Sequence, residues 1–89
     1  MAKIFIPTPL RKYTDNKRMV EFTGMTVNEV LNNLKRQHPD IEPQLYEGGN
    51  IKSFIAVFIN DVDIRTREGG NTPVGAEDNI HIIPAMAGG

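Results

Sequence analysis

The chain contains no cysteine. That absence removes a disulfide framework, a thiolate nucleophile, a zinc ribbon and a cysteine-ligated iron–sulfur cluster together. Histidine is scarce too: His38 and His81 are the only two, too few to build a histidine metal cage. There is no apolar run of membrane-spanning length and no signal-peptide pattern, because the first apolar run, residues 4–6, is stopped at once by Pro7. Neither sign of charge dominates. Ten Lys and Arg stand against eleven Asp and Glu, and they are scattered, which argues against a nucleic-acid stripe or a polybasic anchor. The composition therefore predicts a cytoplasmic protein without a membrane or nucleic-acid partner. Its 89 residues allow one domain, and an apolar share of 39% suffices for a small core of one sheet and one helix.

What is present is a clear succession of elements. Residues 3–6 read as a strand that exits at Pro7 and Pro9, since proline lacks the N–H a sheet interior needs. Residues 13–17 form a polar turn, and residues 18–22 alternate as a second strand that pairs with the first in a hairpin. Thr26 fits a helix N-cap, with Glu29 completing a capping box. Val27, Val30, Leu31 and Leu34 recur at helical spacing, Lys35, Arg36 and His38 suit the negative pole of the helix dipole, and Pro39 ends the helix. Residues 41–52 read as a long connection in which Leu45 and Tyr46 tuck against the core. Residues 54–59 are the strongest strand. A turn at Asn60-Asp61 leads to a short return strand over residues 62–64, and residues 80–83 form the last strand, ending at Pro84. The expected class is α+β: a mixed sheet packed on one main helix, in the β-grasp order.

The chain ends Ala85-Met86-Ala87-Gly88-Gly89. Glycine has no Cβ and accepts almost any backbone angle, so such an end can thread a narrow active-site channel. Five extended residues reach roughly 15 Å. The expected division is a folded unit over residues 1–84 and a flexible tail over residues 85–89, with the Gly89 carboxylate as the reactive group.

This order of elements with a terminal Gly-Gly resembles the ubiquitin-like sulfur carriers, which include the small subunit of molybdopterin synthase, the thiamine-pathway carrier and the thiocarboxylate carrier of a cysteine pathway. Residues 82–89 bear the most specific part of the likeness. Residues 57–65, containing Asn60, Asp61, Asp63 and Arg65, are similar to the family's central turn, and the proline-containing opening over residues 6–11 is similar to the cysteine-pathway carrier. Met86 departs mildly from the usual small or β-branched residue. The resemblance implies a carrier and not an enzyme, with no bound cofactor or metal. It implies that an adenylyltransferase/sulfurtransferase of the ubiquitin-activating (E1-like) type would use ATP to adenylate Gly89 and leave a thiocarboxylate there. Ala85, Met86, Ala87 and Gly88 would thread the partners' active sites. The sulfur would pass to a pyridoxal-phosphate-dependent cysteine synthase, or alternatively to the large subunit of molybdopterin synthase. A third use of the same tail is protein modification through isopeptide bonds to lysine.

Strand alternation also assigns faces. With Val57, Ile59, Ile80 and Ile82 facing the helix, Phe58, His81 and Ile83 face outward beside the root of the tail. An apolar cluster on an open sheet face is a candidate partner-binding patch, similar to the one ubiquitin-like proteins present to their activating enzymes; the alternative is that the 41–52 connection covers it. His81 lacks an oriented partner and reads as a packing residue, not a general base. Asp61 and Asp63 read as turn chemistry.

Overall fold

The computed structural model describes residues 1–84; the expectations for Ala85, Met86, Ala87, Gly88 and Gly89 lie outside the described residues. The first strand, β1 (Ala2–Phe5), and the second, β2 (Met19–Phe22), form the expected antiparallel hairpin, with Phe5 opposite Met19. The connection between them is more ordered than a polar turn. Thr8–Tyr13 forms a 3-10 helix that starts on a proline and buries Leu10, and the chain reverses through Asp15 and Asn16 in the left-handed region. Asp and Asn tolerate that region better than other residues with a Cβ. The buried Thr14 hydroxyl donates to the Lys17 carbonyl at 2.8 Å, which holds the reversal from inside.

The main helix, α1 (Val27–Gln37), begins and ends where its signals lie. The Glu29 N–H donates to Thr26 Oγ1 at 3.2 Å, and Glu29 Oε1 accepts from the Met25 N–H at 2.8 Å. The return bond thus lands one residue earlier than a capping box usually places it. Val27, Val30, Leu31 and Leu34 are buried as one stripe, and His38 caps the end before Pro39. The Val27 N–H reaches the Thr72 carbonyl and the Met25 carbonyl accepts from the Val74 N–H, so the helix start is tied to the segment before the last strand.

The 41–52 connection differs from the expectation of a plain loop. A 3-10 turn (Pro39–Ile41) runs into a single helical turn, α2 (Glu42–Leu45), and then into a miniature hairpin of β3 (Tyr46–Glu47) and β4 (Asn50–Ile51). Gly48 and Gly49 supply the positive φ angles of its tip, +61° and +84°. Leu45, Tyr46 and Ile51 close on Leu31, Ile55, Val57 and Ile82, all inward-facing, so this connection seals the core on the helix side and does not lie across the open face.

Strand β5 (Ile55–Ile59) turns at Asn60, with φ +54°, into β6 (Val62–Asp63). The return strand stops before Ile64, because the Asp63 carboxylate accepts from the Arg65 N–H at 2.9 Å and bends the chain into a 3-10 turn, Ile64–Thr66. The last strand is β7 (Asn79–Pro84). The five strands lie in the order β2-β1-β7-β5-β6, with β7 parallel to β1 and the other pairs antiparallel. This is a β-grasp sheet wrapped on one helix, as expected.

Pro84 sits inside the strand without costing the ladder a hydrogen bond. The Asn60 N–H donates to the Asn79 carbonyl at 2.7 Å and so fixes the phase of the β5–β7 ladder. Bonded pairs then fall at Phe58–His81 and Ala56–Ile83, and Pro84, opposite Ile55, takes a position where no N–H is called for.

Candidate functional site

The open face of the sheet is built by alternation. Val20, Ile4, Ile80, Ile82, Val57 and Ile59 point to α1 and are buried, so their neighbours point away from it. Register then aligns five outward side chains across the whole sheet: Met19 opposite Phe5, Phe5 opposite His81, His81 opposite Phe58, and Phe58 opposite Asp63. Beside this row, toward Pro84, Ile83 lies opposite Ala56. Phe54 stands just before β5 on the same parity as Ala56 and Phe58.

The three residues expected on this face, Phe58, His81 and Ile83, are all brought to it. Ile83 is 47% exposed, whereas Phe58 and His81 are half-buried because they shade one another and their row neighbours. The His81 ring stacks on Phe5, centroids 4.7 Å apart and planes within 9°. Its place is thus in aromatic packing, as the sequence suggested, and Phe5 provides what His81 rests on. The patch expected from the sequence did not include Phe5, Phe54, which is 47% exposed, or Met19. The signal that finds all three is the strand alternation already used for Phe58.

The rim is charged. Exposed Lys3 and Glu21 face each other across β1 and β2 at one side. At the other, Asp63 Oδ2 meets Arg65 Nη2 at 2.9 Å. That guanidinium hydrogen bond, with the backbone bond from the same residue, holds the Asp63 carboxyl below the ordinary aspartate range. Asn60 is committed as well: its amide donates to Asp78 Oδ1 at 3.2 Å and its side-chain oxygen accepts from the Asn79 N–H at 3.1 Å. The segment from Asn60 to Arg65 therefore does structural work at a turn. Among the described residues no three His, Asp or Glu side chains come together to hold a metal ion. An apolar strip with a charged rim can seat a partner, and it offers no paired acid and base for chemistry of its own.

Comparison with known proteins agrees with this geometry. The ThiS family matches residues 4–89. The sulfur carrier protein CysO of Mycobacterium tuberculosis is 32% identical over 89 residues, covering 97% of this chain and 96% of the relative. Among solved structures, a chain of the Amycolatopsis orientalis BexX/CysO complex superposes with a TM-score of 0.93 at 35% identity, over 100% of both chains. The small archaeal modifier protein 1 of Methanosarcina acetivorans superposes with a TM-score of 0.88 at 26% identity, over 99% of this chain and 95% of that one. The chain belongs to the ThiS family: it is a β-grasp sulfur carrier protein of the ThiS/CysO type, and not an enzyme.

Proposed function

We propose that the Gly89 carboxylate carries the sulfur. A carboxylate is a poor electrophile because oxide is a bad leaving group. Reaction with ATP would give an acyl adenylate on Gly89 and release pyrophosphate. Sulfide would then attack the acyl carbon and expel AMP, which leaves the thiocarboxylate. The activating partner would be an adenylyltransferase of the E1-like type, docked on the open face around Phe58, His81 and Ile83, with residues 85–89 entering its active site. This chain contributes no acid or base to these steps; it presents a terminus and a surface. ATP belongs to the activating enzyme.

The acceptor we favour is a pyridoxal-phosphate-dependent cysteine synthase, whose activated serine would take the sulfur. The observation that carries this reading is the likeness to CysO carriers along nearly the whole chain, with the family match running through Gly89. Incubating the thiocarboxylated chain with such a synthase and an activated serine should displace the serine's leaving group and join the new cysteine to the Gly89 acyl carbon, and hydrolysis of that acyl bond by water would then release cysteine and regenerate the carboxylate. Deleting Gly88 and Gly89 should abolish transfer and leave the fold intact; transfer that survives the deletion contradicts the proposal. The same thiocarboxylate would serve a molybdopterin synthase large subunit, and a stable complex with such a subunit in place of transient cycling would move the assignment there. A second reading, protein modification, is favoured by the superposition on an archaeal modifier protein, and Gly89–lysine conjugates detected in cell extract would support it.

A further inference from the structure

Strand β2 is an outer edge of the sheet: among the described residues it pairs with β1 on one side and with no strand on the other. The Ile6 N–H donates to the Arg18 carbonyl at 2.8 Å, one step beyond the Phe5–Met19 pair, and this bond fixes the phase of the β1–β2 ladder. Bonded pairs then fall at Ile4–Val20 and Ala2–Phe22, so the N–H and carbonyl of Met19 and of Glu21 point away from β1. No backbone bond among the described residues takes up these groups. The free stretch is closed at both ends. The Lys17 N–H is bonded to the Thr14 carbonyl at 2.9 Å, and the Lys17 carbonyl accepts from the Thr14 hydroxyl at 2.8 Å. At the other end Asn33 Nδ2 donates to the Thr23 carbonyl at 2.7 Å.

A cavity of about 440 Å³ lies beside this edge, bounded by Met19, Val20, Glu21 and Phe22 of β2 and by Gln37 and His38 at the end of α1. The edge is thus within reach of another chain, and an open strand edge is a template for an added strand. Its own residues supply the match. Lys17 stands at one end and Glu21 toward the other, both exposed, and neither enters an ion pair among the described residues. A second copy of the same edge, laid antiparallel, brings the basic end of each against the acidic end of the other.

We infer that β2 is a self-association edge whose occupant is β2 of a second copy of this chain, antiparallel, with the two-fold axis at Val20. This register pairs every free group, Met19 of each copy with Glu21 of the other. An axis at Met19 would call on the backbone of Lys17, which is already bonded. An axis at Glu21 would call on the Thr23 carbonyl, which Asn33 holds, and would set the Glu21 carboxylates directly against each other. With the axis at Val20, each Glu21 lies between its own Lys3, opposite it on β1, and the other copy's Lys17, a diagonal neighbour. On the helix side Val20 meets Val20, and Arg18 comes opposite Phe22 of the other copy, where a guanidinium can rest on the ring. The two sheets become one, with both open faces on the same side. Strand β1 separates β7 from the new contact, so the inference rests on no step at Gly89.

Sedimentation equilibrium of the full chain from about 10 µM to about 1 mM should show the mass rising from monomer toward dimer, as suits a small edge contact. In an equal mixture of 13C-labelled and unlabelled chain, isotope-filtered NMR should find an Hα–Hα contact from Val20 of one copy to Val20 of the other, because opposite residues approach most closely at a non-bonded position. Amide exchange should slow with concentration at Met19 and Glu21 and stay unchanged at Val20. Glu21→Lys, an exposed change that keeps the folded spectrum, should weaken the dimer about tenfold, and adding Lys17→Glu should recover part of that loss. A monomer at about 1 mM would leave the edge to another protein's strand and overturn the inference. A dimer whose contacts between copies centre on Phe5 and Phe58, or one indifferent to Glu21→Lys, would overturn it as well.

Discussion

His81 lies flat against Phe5, 4.7 Å between centroids, across the one parallel strand pair of the five-stranded sheet. This contact joins the hairpin at one side of the sheet to the strand that leads to the terminus, and it forms the middle of the outward row. Ring pairs of this kind contribute about 0.5–1.5 kcal/mol beyond buried area. A double-mutant cycle with Phe5→Leu and His81→Leu, followed by urea unfolding, should return a coupling of about 0.5–1 kcal/mol. A coupling indistinguishable from zero would show that the stack holds nothing.

Phe58 and Ile80 are neighbours in register classes but opposite in role. Phe58 points to the open face, while Ile80 is fully buried under α1. Phe58→Ala should weaken capture by the adenylating enzyme by about tenfold while shifting stability by about 1 kcal/mol or less. Ile80→Ala should instead cost about 2–5 kcal/mol through the cavity it leaves. Should Phe58→Ala unfold the protein as Ile80→Ala does, the outward row is core and not surface.

Thr26 has two tasks: its hydroxyl accepts from the Glu29 N–H, and its backbone bridges to Pro73. Thr26→Ala removes only the first. The expected loss is about 1 kcal/mol, and Thr26→Ser should restore most of it. A Ser variant no better than Ala would show that the methyl and not the cap matters.

Gly24 is required by its neighbour. A Cβ added there would meet Val30 Cγ2 at 2.6 Å and the Val30 N at 2.7 Å, against the first turn of α1. Gly24→Ala should therefore lower the melting temperature although residue 24 lies outside the helix and the sheet. Pairing it with Val30→Ala removes the side-chain clash and should recover part of the loss; no recovery would place the cost in the backbone contact alone.

Acid should destabilise the fold through two carboxyls. The guanidinium bond from Arg65 lowers the Asp63 pKa, and the Gly75 N–H, then the Asn60 amide, lower that of Asp78, both from an ordinary 3.8. Between the lowered folded value and the ordinary one, the unfolded chain binds more protons, so stability rises with pH in that window. The contribution is complete above the ordinary value and is lost as pH falls through the folded values. Urea midpoints should thus drop between about pH 5 and about pH 3. Asp78→Asn should flatten part of that drop, and an unchanged slope would remove Asp78 from the explanation.

Much of this was legible in the sequence where a local signal and a long period coincide. Thr26, Glu29, the stripe from Val27 to Leu34 and the stop at Pro39 gave the helix and both of its ends. Alternation through Val57 and Ile59 gave the outward placement of Phe58, and the same rule through Ile80 and Ile82 gave His81 and Ile83. What escaped is short or made by tertiary contact. A two-residue strand has no period, so the β3–β4 hairpin looked like loop despite Gly48 and Gly49. Ile64 continues the alternation of β6 perfectly well; the Asp63 side chain, competing for the Arg65 N–H, stops the strand. The stacking of Phe5 on His81 joins residues far apart in sequence and depends on the parallel pairing of β1 with β7, which no local pattern specifies.

The central claim is that this carrier holds sulfur on Gly89, and intact-protein mass spectrometry tests it most directly. The chain would be incubated with ATP, sulfide and an adenylating enzyme of demonstrated activity. The account predicts a mass gain equal to exchange of one oxygen for one sulfur, mapped by fragmentation to Gly89. An unchanged mass, or a sulfur placed anywhere else in the chain, would contradict it.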